Sequence, residues 1–369
     1  MLVVGGGIAG VSAGHFLARH ADVTLVDMES TLAYHTTGRS AALYFENYGA
    51  LPIRPLSRAS RRFFDAPPAG LVDHPLLRPR GALTIANADQ VAALEAALAQ
   101  GEAAGTRLEW IDTAGVREVC DAVLPEAAVA GLWEPDAADM DVAAIHQAFV
   151  RGLRQSGGAI RTDRPLTSAA RTANGWTVVL GDESWEGDLV VDAAGAWGDA
   201  VAEACGVAPL GLQPKRRTAF MVAGRPGSEQ WPLVVDVDQS FYFKPDGPQL
   251  LCSLADETPS PPCDARPEEM DVALAIDRIN GVTDLGIRSV RSQWAGLRTF
   301  VADKTMAIGP DPAEPSFIWL VGQGGTGIQT APAAGELTAA LALGTPLPQT
   351  LQEAGVDPAA LAPDRLRAS

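Results

Sequence analysis

"LVVGGGIAGVSAGHFLARHADVTLVDMES", Leu2 to Ser30, is the stretch on which the fold turns. Its first residues, Leu2 to Val4, form the short apolar run that a strand buried on both faces requires. Three glycines follow, and "IAGVSAGHFLARHA" then sets apolar residues at helical spacing. "DVTLVDMES" returns to an extended apolar pattern, so the whole reads as a β-α-β unit. Gly5, Gly7 and Gly10 supply G-x-G-x-x-G at the strand-to-helix turn, where backbone amides and the positive helix end receive a pyrophosphate. Asp27 lies 17 residues beyond Gly10, at the end of the second strand, where a carboxylate binds a ribose hydroxyl. That context predicts dinucleotide binding.

Composition narrows the rest. The chain has 369 residues, 47% of them hydrophobic, enough for about two domains with a substantial core. Its net charge of −17 opposes any sequence-independent hold on a phosphate backbone, so nucleic acid is not an expected partner. Cys120, Cys205, Cys252 and Cys263 form no C-x-x-C pair and no cluster with histidine, which predicts reduced thiols, no metal centre and a cytoplasmic setting. The first residues carry no basic leader, and no stretch supplies the roughly 18 consecutive apolar residues of a spanning helix. Membrane contact, if any, is expected to be peripheral.

No internal repeat is visible, and strand-like and helix-like pieces alternate. Between Gly206 and Phe300 the pattern shifts to extended segments such as "RRTAFMV", "SFYFKP" and "QLLCSL", broken by Pro and Gly. A mostly antiparallel sheet follows from that pattern. "FIWLVGQGGTGIQTAPAAGELTAALALG" then returns to strand, glycine loop and long helix. The expected architecture is α/β with mixed α+β character: a discontinuous Rossmann-like nucleotide domain over 1–75, 140–205 and 300–369, and a substrate-binding domain over 76–139 and 206–299. Because the nucleotide domain resumes so late in the chain, FAD fits better than a nicotinamide cofactor: an extended flavin needs distant segments to meet along it.

One basic run stands out in this acidic chain. In "GLQPKRRTAFMV", Lys215, Arg216 and Arg217 open a strand, so Arg216 and Arg217 must point to opposite faces. An exposed basic turn and an arginine held over a substrate anion both remain open on the residues alone.

"GGGIAG", "TLVDMES", "YHTTGRSAA", "VVDAAGAW", "KRRTAF", "SFYFKP", "WAGLRTF" and "GQGGTGIQT", in this order, resemble the D-amino acid oxidase (DAO) family of FAD proteins, most closely its D-arginine and D-amino acid dehydrogenase branch. The likeness covers nearly the whole chain. It implies non-covalent FAD held along Gly5, Gly7, Ile8, Ala9, Gly10, Asp27 and Met28, then Thr37, Arg39, Ser40 and Ala41. Further contacts are implied at Leu166, Ala194, Gly195 and Trp197, and at Gly309, Gly325, Gly327, Ile328 and Gln329. It also implies a substrate carboxylate bound by Arg217, Arg298 and Tyr242, with Tyr48 closing from a mobile loop and the Gly325 carbonyl receiving the amine. On this basis Arg217 is the inward member of the basic run.

The chain departs from that branch where a distal guanidinium would be recognised. Ala82 stands where the branch has a glutamate, Leu43 where it has a histidine, and Glu46 on the closing loop is the one local carboxylate. Burying a cationic side chain beside Ala82 and Leu43 is costly, so neutral or apolar side chains are expected over D-arginine. The implied activity is D-amino acid dehydrogenation: hydride passes from Cα to flavin N5, the imino acid hydrolyses to a 2-oxo acid and ammonia, and electrons go to an artificial or quinone-type acceptor. Two alternatives stay open, an oxidase or dehydrogenase of glycine, sarcosine, proline or a 2-hydroxy acid, and a flavin-containing binding or sensor protein. His35, His74 and His146 are read as loop or packing residues.

Overall fold

The computed structural model describes residues 1–367. A six-stranded sheet runs in the order Ala307–Pro310, Phe317–Val321, Val190–Asp192, Leu2–Val4, Thr24–Val26, Ala159–Arg161. All its ladders are parallel except that of the edge strand Ala307–Pro310. Neighbouring strands therefore come from opposite ends of the chain, and the order reverses at Leu2–Val4, as in Rossmann-like sheets that open a ligand crevice there.

The apolar strand runs follow from burial on both faces. Val3, Leu25, Val191 and Ile318 pack on one side against the helices Ile8–Leu17, Val142–Gln155 and Gly327–Leu343. Leu2, Val4, Val26, Val190 and Phe317 face the other way, against the three-stranded antiparallel sheet Leu166–Thr172, Gly175–Leu180, Glu183–Gly187. Period-two alternation sends successive residues to separate cores, so none is left for water.

A nine-stranded sheet is built from 82–134 and 213–300. Its ladders are antiparallel apart from the pairing of Leu233–Asp236 with Ala82–Ala86. One face, with Leu83, Phe220, Val222, Val234 and Phe243, is covered by the helix Glu269–Val282. The opposite face carries Ala219, Met221, Leu233, Val235 and Tyr242. A short sheet, Leu43–Tyr44, Ala138–Met140, Leu77–Pro79, joins the two bodies. There Asp139 binds both Arg80 Nε and the buried Lys244 Nζ at 2.6 Å. Among the described residues no helix is long and apolar enough to cross a membrane.

Candidate active site

A single cavity of about 440 Å³ runs from the first β-α turn to the second sheet. At its nucleotide end the helix Ile8–Leu17 begins at Gly7 without a side-chain cap, and the Ile8 amide donates to Thr37 Oγ1 at 3.0 Å. Asp27 receives the Gly6 amide at 2.6 Å and the Glu29 amide at 2.8 Å, and burial raises its carboxyl above the usual range. The buried His146, expected as a loop or packing residue, donates Nε2–H to the Gly6 carbonyl at 2.9 Å.

Gly5, Gly7, Ile8, Ala9, Asp27, Met28, Thr37, Ser40 and Ala41 line this part of the cavity. Leu166, Ala194, Gly195 and Trp197 form a second wall, and Gly325, Gly327, Ile328 and Gln329 a third. Three expected contacts differ. Gly10 lies outside the lining, because a Cβ there would stand 1.8 Å from the Gly5 carbonyl oxygen; it lets helix and turn touch. Gly309 also lies outside, at φ +137° on the edge strand, facing Pro363 and Leu341. Arg39 lines the cavity, yet its guanidinium is committed to the Ala265 and Ala295 carbonyls and to Asp264. That arginine fastens the 35–41 loop to the strand Ser292–Phe300, a fastening repeated by Thr36 Oγ1 on the Leu297 carbonyl at 2.7 Å.

At the other end, Arg217, Arg298, Tyr242, Tyr48 and Gly325 line the same space. Strand parity explains the basic run. Arg216 turns toward the helix Glu269–Val282 and pairs with Glu268 and, at 2.9 Å, with Asp271. Arg217 turns with Ala219 and Met221 to the cavity face, where its Nε donates to the Asp256 carbonyl at 2.8 Å. Lys215 pairs with Arg298 across the ladder, and Gly296 with Arg217, so the two arginines are diagonal neighbours on one face.

Those guanidiniums are short of anions. The carboxylate nearest to Arg217 is Glu257, with Oε1 3.9 Å from Nη2, and among the described residues Arg298 makes no ion pair. Arg298 Nη1 instead donates to Tyr48 Oη at 2.9 Å. Burial pushes the Tyr48 phenol up, but Arg298 and Arg217 together outweigh it and hold the phenol below its ordinary range. Burial and the charge of Arg298 lower the pKa of Arg217. Two cations face each other here in a protein rich in carboxylates, which is the electrostatic signature of a site for an outside anion.

Gly325 closes the arrangement. A Cβ on it would lie 2.6 Å from Tyr48 Oη and 2.7 Å from Arg298 Nη1. Gly325→Ala is therefore expected to displace that pair and to raise KM about 10- to 100-fold, the loss of one charge-assisted hydrogen bond, with the bound-flavin spectrum unchanged. Steady-state kinetics beside an absorbance spectrum checks both halves.

The wall beyond the arginines is mostly apolar, lined by Leu43, Phe45, Ala219, Leu233 and Val235, with Thr84, Asn47, Asp236 and Gln239 as polar members. Ala82 is not on the lining; it is buried among Ala137, Leu233 and Tyr242, and Thr84 two residues on reaches the cavity instead. Glu46 is also off the lining, its carboxylate taken by Arg58 Nε at 2.9 Å.

A carboxyl that sequence reading missed, Glu134, is the register partner of Ala82 on the next strand. It is 2% exposed, and burial pushes it up to about 8 against two amide bonds that lower it. No local motif marks it, because its burial depends on cross-strand register. Since the folded chain keeps a proton there that the unfolded chain releases near 4.5, stability falls as pH rises from about 4.5 to about 8 and levels off beyond. Glu134→Gln is expected to gain Tm relative to wild type between pH 5 and pH 8.5, by an amount reflecting at most a few kcal/mol. A constant difference across that range would contradict the assignment.

A Rossmann-like sheet with an uncapped helix start, a ribose-side carboxylate and a cavity leading to paired arginines defines a dinucleotide-dependent enzyme acting on a small anion. Residues 1–341 match the FAD dependent oxidoreductase family (DAO), and the chain belongs to it. The chain is 24% identical over 410 residues to FAD-dependent oxidoreductase domain-containing protein 1 of Mus musculus, covering 93% of this chain and 81% of that protein. The solved structure of L-proline dehydrogenase from P. horikoshii superposes with TM-score 0.87 at 18% identity, over 99% of this chain and 97% of that one. Glycine oxidase from Geobacillus kaustophilus superposes with TM-score 0.82 at 19% identity, over 94% of each chain. FAD is the cofactor of the family, and the residues present fit it: the Gly5–Gly7 turn is open to the cavity and Asp27 stands at the tip of its strand.

Proposed function

We propose that this protein oxidises the carbon–nitrogen bond of a small amino-acid-type carboxylate. The observation that carries the reading is the Arg217–Arg298 pair, facing the cavity with only Glu257 near it among the described residues, 3.9 Å from Arg217 and also bound by Lys215 and Lys304, and joined to the nucleotide end by continuous lining. Arg217, Arg298 and Tyr242 bind the substrate carboxylate, Tyr48 covers it, and the Gly325 carbonyl accepts a hydrogen bond from the amine. Bound FAD supplies a hydride acceptor for the substrate carbon. Fixing both ends of a small substrate sets which hydrogen on that carbon faces the cofactor. The segments 1–75, 140–205 and 300–369 hold FAD in this reading, and 76–139 with 206–299 hold the substrate.

The wider class, which takes in glycine-type, N-alkylated and cyclic amines, has more support than D-amino acids alone, because proteins named for glycine and L-proline share the fold over almost the whole chain. The apolar wall of Leu43, Phe45, Leu233 and Val235 supports neutral side chains over D-arginine.

The test is anaerobic mixing of the flavoprotein with glycine, sarcosine, both proline enantiomers, D-Met, D-Leu, D-Arg and matching 2-hydroxy acids. Bleaching of the flavin by a neutral amino compound is expected. Bleaching by a 2-hydroxy acid alone, or by nothing in the set, overturns the reading. Repeating the productive case in air with and without a quinone separates an oxidase from a dehydrogenase.

A further inference from the structure

Residues 45–48 form a turn closed by the Tyr48 amide on the Phe45 carbonyl at 3.1 Å. In such a turn the amides of the two central residues have no partner within it. Here those residues are Glu46 and Asn47, and both amides point at one buried oxygen: Glu134 Oε1, at 2.9 Å and 3.5 Å. Among the described residues the buried Glu134 Oε2 has no hydrogen-bond partner, so the hydrogen bonds of the carboxyl go to this turn alone.

We propose that Glu134 is the positioning residue for Tyr48, and through it for the carboxylate end of the substrate site. The inference rests on the substrate reading above only for its binding readout. Glu134 sits at the end of the strand Ala130–Glu134, fixed by its ladder to Ala82–Ala86, so it gives the turn a rigid point of reference. The other fastenings act on Phe45 or on the side chains of the central residues. Gln329 brackets Phe45, accepting from its amide at 3.1 Å and donating to its carbonyl at 3.3 Å. Arg54 holds the Asn47 side chain at 2.7 Å, and Arg58 holds that of Glu46. Among the described residues, Glu134 is the one group that binds the two central amides themselves. Their orientation carries Tyr48, stacked at 5.9 Å and 6° on Phe45, to its 2.9 Å contact with Arg298. Glu134 touches neither substrate nor cofactor space; it acts at one remove.

The test compares wild type, Glu134→Ala, Glu134→Gln, Tyr48→Phe and the double variant E134A/Y48F as FAD-loaded proteins, with flavin content and Tm followed throughout. Benzoate is the carboxylate probe, read by perturbation of the bound-flavin spectrum. Glu134→Ala is expected to weaken benzoate binding about tenfold, the loss of one hydrogen bond to a charged partner, and to raise substrate KM alike with little change in kcat. Glu134→Gln keeps the acceptor oxygen and is expected to restore binding to within about twofold, well inside a single hydrogen bond's worth. In the Tyr48→Phe background, removing Glu134 is expected to add nothing. Additive losses in the double variant, or undiminished binding in Glu134→Ala, overturn the proposal.

A second measurement is independent of any anion. The Tyr48 phenol, assigned by its absence in Tyr48→Phe, is expected to titrate at higher pH in Glu134→Ala, because it leaves Arg298. If wild type ignores benzoate but this titration shifts, the substrate reading fails and the positioning role stands. If the titration is unmoved, Glu134 does not position Tyr48.

Discussion

Arg298→Ala is expected to lower kcat/KM at least about a hundredfold, two charge-assisted hydrogen bonds to a carboxylate at roughly 1.5 to 3 kcal/mol each, while FAD stays bound. The loss should fall mainly on KM, because the carboxylate keeps its charge through the reaction and is held equally in ground and transition states. Arg298→Lys is expected to recover only part of it. A lysine keeps the charge but not the planar fork that meets two oxygens at once, nor the Nη1 contact with Tyr48. Arg217→Ala should approach the same loss, with Asp256 left holding a free carbonyl where Nε donated. Kinetics unchanged in both alanine variants would remove the anion site from the molecule's account.

Gly10→Ala is expected to yield protein that retains little or no flavin. A methyl there meets the Gly5 carbonyl oxygen at 1.8 Å and its carbon at 3.0 Å, both backbone atoms that cannot rotate aside. Gly5 has no slack to offer, since it already sits at φ +110° with the Ala193 carbonyl against it. The helix Ile8–Leu17 cannot back away either, because Gly335 of the long C-terminal helix touches Ser12 backbone on its far side. Gly14→Ala is the matched control on the same helix: its nearest neighbours would be side-chain methyls, of Leu153 at 3.3 and 3.5 Å and of Leu25 at 3.8 Å. That variant should keep its flavin and gain up to about 1 kcal/mol from helix propensity. The flavin-to-protein ratio after purification measures both, and a fully flavinated Gly10→Ala would refute the close-packing role.

The contrast between Gly10 and its neighbours shows how a motif reads in sequence. Gly5, Gly7 and Gly10 were recognisable together because the strand, turn and helix around them are local, and local patterns survive in a linear chain. Their separate duties were not. Gly5 and Gly7 border the cavity, whereas Gly10 serves packing, a distinction that depends on which atoms lie across the turn. Arg39 teaches the same point: its place beside the cavity was legible from its motif, but its charge is consumed by Asp264 and two carbonyls from another segment.

The substrate end divides along a similar line. Strand alternation alone required that Arg216 and Arg217 part company, and the acidic residues that open the helix Glu269–Val282 receive Arg216. Glu46 and Ala82 were misplaced because a loop glutamate's direction, and the depth of a strand residue along its own face, depend on what packs above them. Glu134 was invisible for the converse reason, an ordinary strand-end glutamate until another strand and the 45–48 turn enclose it.

By itself the chain's order of residues determined the β-α-β opening and the parity of each strand, both set by bonds and steric rules acting over a few neighbouring positions. Only the assembled fold decided that Arg217, Arg298, Gly325 and Tyr48 share one space, and that Glu46 and Glu134 stand outside its lining. Charge pairing and burial act through space, and residues far apart along the chain meet there only once the ladders have closed.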